Sequence, residues 1–174
     1  MIGVLIPVHN EEQLLGLCLQ TVLEAGRHPA LTGEPVVILV VLDSCSDGSA
    51  EIARQYNVDT LEVSARNVGQ ARAAGASALL ARGARWIACT DGDSSVAEDW
   101  LVEQLALDAD AVCGTVTPGL WNDDIPLEAQ SVTSRATNTA TVTATSTAPT
   151  WASALRLTPW QAVSHRWLAT KTSI

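Results

Sequence analysis

The chain has 174 residues, of which 47% are hydrophobic, and a formal net charge of −9. This length suits one domain with its own core, and no apolar run approaches the roughly 20 residues of a membrane span. The acidic balance argues against a nucleic-acid partner, because binding to phosphates relies on lysine and arginine. The first residues lack the features of a signal peptide, and the four cysteines lie far apart without a CxxC pair, so we expect a cytoplasmic protein with reduced cysteines.

Segments with strand and helix patterns alternate along the first two thirds of the chain. In chain order they are a strand at 2–8, a helix from an Asn10 cap to Gly26, a strand at 36–42, a helix at 49–56, a strand at 60–63, a helix at 67–82, a strand at 86–90, a helix at 97–107 and a strand at 111–116. Strands and helices at this spacing predict βαβ units with right-handed crossovers. The predicted fold class is therefore α/β: a doubly wound, mostly parallel sheet with helices on both faces.

The composition changes sharply near residue 128. All 19 Asp and Glu residues lie at or before Glu128, whereas residues 129–174 hold 11 of the 17 threonines and no acid. We therefore expect one folded domain over residues 1–128. Residues 129–174 form an atypical Thr/Ala-rich segment that we expect to be irregular or poorly packed.

Carboxylates follow three of the predicted strands. The first strand runs into VHNEEQ, the second ends at Asp43, and the fourth precedes Asp91-Gly-Asp93. Because the carboxyl ends of parallel strands meet at one edge of a sheet, these charges would repel one another unless a cation or hydrogen-bond donors lie among them. A hard ion such as Mg²⁺ or Mn²⁺ takes one or two carboxylates and completes its shell with phosphate oxygens and water. For Glu12 and Asp47 we expect ordinary turn or capping roles.

Two other classes of nucleotide-binding enzyme fit less well. A dinucleotide-binding Rossmann domain needs GxGxxG after the first strand, where this chain has VHNEEQ, whose glutamates would repel an anion. A nucleotidyltransferase of related architecture would need a glycine-rich loop with Lys or Arg at the same place. A non-catalytic nucleotide-binding module remains open.

Several stretches, in the right order, resemble the N-terminal half of family 2 nucleotide-sugar glycosyltransferases of the A-type, Rossmann-like fold. They are IPVHNEEQLLGLCLQTVL, VVLDSCSDGSAEIA, RNVGQARAAGASALLARGARWIACTDGDS and the following DWL, and together they span Ile2 to about Thr117. The resemblance implies that residues 1–128 form a nucleotide-sugar-binding domain. It further implies inverting transfer from a nucleoside diphosphate sugar to an acceptor hydroxyl, assisted by Mg²⁺ or Mn²⁺. It does not indicate the sugar, the nucleotide or the acceptor.

The resemblance also implies roles for individual residues. Those that would bind the nucleotide sugar are Pro7, His9, Asn10, Glu11, Asp43, Arg66, Asn67, Gly69, Arg72 and Asp91. Among them Asp43 would meet the base, and Arg72 would contact the base or a phosphate unless it is simply an exposed helix former. Asp93 would be the main metal ligand, with Asp91 facing the ribose or the metal.

The same resemblance leaves the catalytic base without a candidate. Inverting transfer needs a base to deprotonate the acceptor hydroxyl, and in this family it comes from the C-terminal half. Here residues 129–174 contain no acid, and only His165 there titrates near neutral pH. We therefore expect an impaired enzyme.

A shift of reading frame in a GC-rich gene would explain this composition. Read one base late, codons for Asp, His, Asn and Tyr become threonine, and the glycine codon GGC becomes alanine. From Thr137, TNTATVTATSTAPTWASA allows QHRDGHRHVHGANLGVR in the other frame, and QAVSHRWLATKTS allows GGF followed by DEDVD. Both strings resemble later motifs of the family.

Overall fold

Strands and helices alternate as the sequence predicts. The computed structural model describes residues 1–114, 116 and 169–171, the last three as backbone only. The strands are β1 (Ile2–Val8), β2 (Val36–Asp43), β3 (Asp59–Val63), β4 (Trp86–Cys89), β5 (Ala111–Val112) and β6 (Ala169–Lys171), and the helices are α1 (Leu15–Gly26), α2 (Ser49–Gln55), α3 (Val68–Ala81) and α4 (Trp100–Ala106), with a short 3-10 helix at Pro29–Leu31.

The six strands form one sheet in the order β3-β2-β1-β4-β6-β5. β1 pairs in parallel with β2 and β4, β2 pairs in parallel with β3, and β6 runs antiparallel between β4 and β5. The predicted α/β fold with a mostly parallel sheet is confirmed. The chain moves outward from β1 to β3 and then crosses to the other side of β1 at β4. The carboxyl ends of β1 and β4 therefore flank a topological switch point, where open α/β sheets bind ligands.

The central strands are buried on both faces because helices cover the sheet on each side. Along β2, Ile38 and Val40 pack on the side of α1, whereas Leu39 and Val41 pack on the side of α3. All seven residues of β1 are buried. Burial of each such aliphatic side chain stabilises the fold by roughly 1.5–3 kcal/mol. The sheet is thus a rigid platform whose polar carboxyl edge carries the candidate site.

Two helices begin later than the sequence predicts. α1 begins at Leu15, because Asn10 has a left-handed backbone (φ 60°) and its Oδ1 accepts the backbone N–H of Ser46 at 2.8 Å instead of capping the helix. α4 begins at Trp100, where no side chain caps the helix. Ser95-Val-Ala-Glu98 has the sequence pattern of a capping box but does not start the helix, and the N–H of Val96 donates to Thr21 Oγ1 of α1 at 3.2 Å. In both places a tertiary contact replaces the expected local cap.

The last part of the chain is described only in small part. β5 ends at Val112, earlier than predicted, and three residues of the Thr/Ala-rich segment form β6. The expected irregularity of the rest of 129–174 lies outside the described residues. In the part of the chain that the structure describes, no helix has the length and apolar character needed to cross a bilayer.

Candidate functional site

A cavity of about 840 Å³ opens at the carboxyl ends of β1, β2 and β4. This volume lies in the range of small-molecule binding sites. It is lined by Pro7, Val8, His9, Asn10, Glu11, Asp43, Ser44, Ser46, Arg66, Asn67, Val68, Ala71, Arg72, Asp91, Gly92 and Asp93. The cavity thus occupies the topological switch point of the sheet.

Most of the residues singled out from the sequence meet at this cavity. The exception is Gly69, which lies in the first turn of α3 and does not line it. Sequence reasoning missed Val8, Ser44, Ser46, Val68, Ala71 and Gly92. The DSCSDG turn was a usable signal for the two serines, because its hydroxyls follow the same strand end as Asp43.

Hydrogen bonds join the loop after β1 to the loop after β2. Glu12 Oε2 accepts the N–H of Gly48 at 2.8 Å, and Asp47 Oδ2 accepts the N–H of Glu12 at 3.0 Å. Ser49 Oγ accepts the N–H of Glu11 at 3.0 Å. Asp47 Oδ1 also accepts the N–H of Ser49 at 3.1 Å, which is the expected turn role, whereas the Glu12 side chain bonds to the other loop instead of a local turn. These bonds fix the two loops that carry His9, Glu11 and Ser46.

His9 joins the end of β1 to the end of β2. Its Nδ1 lies 2.6 Å from the backbone oxygen of Asp43. A carbonyl oxygen only accepts hydrogen bonds, so Nδ1 carries the proton and the ring orientation is set by the neighbouring strand.

The carboxylate of Asp43 is buried and accepts four hydrogen bonds from the protein. Its Oδ1 accepts the N–H groups of Ala65 and Arg66, both at 2.8 Å, and the hydroxyl of Ser44 at 3.1 Å, while its Oδ2 accepts the N–H of Asn67 at 2.8 Å. Burial raises the pKa of Asp43, but the backbone donors of Arg66, Asn67 and Ala65 outweigh it and hold the pKa below its ordinary value. Oδ1 thus accepts three hydrogen bonds and Oδ2 one, which leaves Oδ2 with capacity for one more donor.

Arg72 and Asp91 form an ion pair across the cavity wall. Arg72 Nη2 lies 2.6 Å from Asp91 Oδ1, and each side chain is 35% exposed. Arg72 is therefore held in the site rather than being a solvated helix former. Behind the pair, Cys18 Sγ donates to the backbone oxygen of Asp91 at 3.3 Å. Burial, with the charges of Asp93 and Asp91, raises the pKa of Cys18 to about 12, so the thiol remains a protonated donor at neutral pH.

Glycine between the two aspartates allows their turn to pack closely on the loop after β1. A Cβ at Gly92 would lie 3.0 Å from Val8 Cγ2 and 3.4 Å from Glu11 Cγ. The pKa of Glu11 is raised by burial and then by the charges of Asp93, Asp47 and Asp91. Carboxylates from three loops therefore lie close enough to repel one another, and a bound cation would relieve this repulsion.

The residues at this turn fit a hard divalent ion. Asp93 is exposed on the cavity wall, and its Oδ1 accepts only the hydroxyl of its neighbour Ser94, at 3.2 Å. Among the described residues no three His, Cys, Asp or Glu side chains form a set that could hold a metal ion. An ion at Asp93 would thus need phosphate oxygens and water to complete its shell, as Mg²⁺ commonly does.

The fold and the cavity define a Rossmann-like α/β protein of the A-type glycosyltransferase architecture. A family model described as Glycosyl transferase family 2 matches residues 3–144, which extends past Thr117, where the sequence resemblance ends. The chain therefore belongs to glycosyl transferase family 2. No curated protein matches this chain in sequence.

Solved structures of glycosyltransferases share the fold. TarS 1-349 of S. aureus in complex with UDP is 18% identical over 72% of this chain and 38% of that chain, with a TM-score of 0.56. The mannosyltransferase PcManGT from Pyrobaculum calidifontis, in complex with GDP-Man and Mn²⁺, is 21% identical over 67% of this chain and 35% of that chain, with a TM-score of 0.51. The present chain thus spans little more than a third of the length of either structure.

Proposed function

We propose that this chain binds a nucleoside diphosphate sugar and forms the donor half of an inverting, metal-assisted glycosyltransferase. One observation carries the proposal: in a family 2 chain, the cavity at the switch point brings Asp91 and Asp93 together with Arg66, Asn67 and Arg72. Carboxylates together with cationic and amide groups in one cavity match a diphosphate with its ion. The UDP in one similar structure and the GDP-Man with Mn²⁺ in the other support this ligand class.

In this proposal Asp93 is the main ligand of Mg²⁺ or Mn²⁺, and Asp91 faces the ribose or the ion. When bound, the ion would supply positive charge that offsets the diphosphate of the leaving nucleotide. Arg72 restrains Asp91 through the ion pair at 2.6 Å, whereas the carboxylate of Asp93 accepts only the hydroxyl of its neighbour Ser94. The remaining nucleotide-sugar contacts would come from cavity-lining residues: Pro7, His9, Asn10, Glu11, Asp43, Arg66 and Asn67.

We further propose that this chain transfers little or no sugar, because residues 129–174 contain no acid that could serve as the acceptor-side base. The same observation favours a second candidate, a non-catalytic nucleotide-binding module. Turnover after the frame-shifted segment is restored would distinguish an impaired enzyme from a binding module.

The four cysteines, all of them free thiols, favour a reducing compartment such as the cytoplasm.

Titration calorimetry with UDP and GDP, each with Mn²⁺, tests the binding site. Asp93→Ala should weaken nucleotide binding at least about tenfold, because it removes a charged ligand from the proposed metal site. Asp99→Ala is a matched control, because Asp99 is also an exposed aspartate but does not line the cavity. This substitution should leave the heat of nucleotide binding unchanged. Binding heat that survives Asp93→Ala would contradict the proposed metal site.

A further inference from the structure

The turn that carries Asp93 is closed by a backbone hydrogen bond. The N–H of Ser94 donates to the backbone oxygen of Asp91 at 3.1 Å, so Asp93 occupies the third position of a four-residue turn. Among the described residues, the carboxylate of Asp93 bonds only within this turn, to the hydroxyl of Ser94. Asp93 therefore depends on other residues of the loop after β4 for its place at the cavity.

Helix α1 holds the loop after β4 at two points. At the first point, Cys18 Sγ donates to the backbone oxygen of Asp91 at 3.3 Å, which is the oxygen that also closes the turn. At the second point, the N–H of Val96 donates to Thr21 Oγ1 at 3.2 Å. Cys18 and Thr21 are three positions apart, so they lie on the same face of the helix. That one face therefore contacts the loop at both ends of the segment 91–96.

The hydroxyl of Thr21 is oriented by its own helix. It donates to the backbone oxygen of Cys18 at 3.0 Å, which leaves its lone pairs to accept the N–H of Val96. The side chain of Val96 packs against the apolar core on the same side of the sheet. The ion pair of Arg72 with Asp91 restrains the first part of the loop. Thr21 thus supplies a polar anchor for the part that follows Asp93.

We propose that Cys18 and Thr21 are positioning residues for the metal site: together they hold the segment 91–96, so that Asp93 is in place at the cavity before an ion binds. Neither residue lines the cavity, so neither is expected to touch the ligand. The inference rests on the proposed function, in which Asp93 is the main metal ligand. A loop held in this way raises the affinity for the ion, because less conformational entropy is lost on binding.

Hydrogen exchange in the ligand-free protein tests whether Thr21 holds the loop. Thr21→Val keeps the shape of the side chain but removes the acceptor, so the amide of Val96 should exchange about tenfold faster. Thr21→Ser keeps the hydroxyl and should keep the exchange of this amide slow. The amides of β1 should keep their protection in both variants. Equal exchange at Val96 in the wild type and in Thr21→Val would overturn the inference.

Titration of Mn²⁺ in the presence of UDP or GDP tests the consequence for the metal site. The Mn²⁺ concentration that gives half of the binding heat should rise about fivefold in Thr21→Val and stay at the wild-type value in Thr21→Ser. Thr60→Val is the matched control, because Thr60 is an exposed threonine of the edge strand β3, three strands away from β4. An unchanged Mn²⁺ requirement in Thr21→Val would overturn the inference, as would an equal rise in Thr60→Val.

Cys18→Ala tests the other contact and decides the matter if Thr21→Val does not fold. It removes the thiol donor, while the backbone oxygen of Asp91 keeps the N–H of Ser94. The amide of Ser94 should exchange about threefold faster, and the Mn²⁺ requirement should rise by about the same factor. If the wild-type chain binds neither nucleotide with Mn²⁺, the proposed function fails and this inference fails with it. Nucleotide binding that keeps the wild-type Mn²⁺ requirement in both Thr21→Val and Cys18→Ala overturns only the support from α1.

Discussion

The contact between α3 and the sheet gives a prediction that can be worked from atomic distances. Gly75 faces β1 and β2 from the middle of α3, and a Cβ built there would lie 2.1 Å from Leu5 Cδ1 and 2.7 Å from Val41 Cγ2. Carbon atoms in contact lie about 3.5–4.0 Å apart. Gly75→Ala therefore requires either new rotamers of two buried side chains or a shift of α3 away from the sheet.

The net effect is the difference of two opposing terms. Overpacking of this kind costs about 1–3 kcal/mol, whereas replacing glycine by alanine inside a helix gains about 0.5–1 kcal/mol. We expect Gly75→Ala to lower the free energy of unfolding by about 1–2 kcal/mol. Because Arg72 lies one turn before Gly75, a shift of α3 would also lengthen the pair with Asp91 and weaken nucleotide binding.

Gly16→Ala is the matched control for this substitution. Gly16 lies within α1, and the nearest neighbour of a Cβ built there would be the hydroxyl of Tyr56, at 3.6 Å. The same change should thus raise the free energy of unfolding by about 0.5–1 kcal/mol. Urea denaturation followed by circular dichroism measures both variants. Equal effects of the two substitutions would refute the claim that α3 packs at a distance only glycine allows.

Two further predictions concern the ion pair opposite the site and the end of the chain. Arg85 donates to Glu34 through Nε at 2.7 Å and through Nη2, which lowers the pKa of Glu34 although burial opposes it. At pH values above 4.5, the ordinary pKa of Glu34, the substitution Glu34→Gln should therefore lower the free energy of unfolding by about 1 kcal/mol. This difference between variant and wild type should vanish as pH falls through the lowered pKa of Glu34. Urea denaturation measured across pH would contradict the prediction if it showed a constant difference. Sequencing the coding DNA should reveal a single-base shift that restores the motifs hidden after residue 136; if no such shift exists, the frame hypothesis is wrong.

The sequence was sufficient for the features that depend on neighbouring residues. The β-branched run of β2 and the alternation of strands with helices predict a parallel sheet, because the burial pattern of a strand and the period of a helix depend on residues close together in the sequence. The edge that gathers Asp43, Asp91 and Asp93 follows from the rule that parallel strands end together. The position of Asp91-Gly-Asp93 at this edge could be predicted for the same reason.

Only the tertiary structure decided which partner each polar side chain has. Asn10 binds Ser46 rather than capping α1, Asp43 binds residues 65–67, and Arg72 pairs with Asp91. These partners lie 19 to 36 positions apart along the chain. A carboxylate at a strand end satisfies the same sequence rule whether it meets a metal ion, a ligand or a backbone N–H, and the choice depends on which loop the folded sheet brings within 3 Å of it.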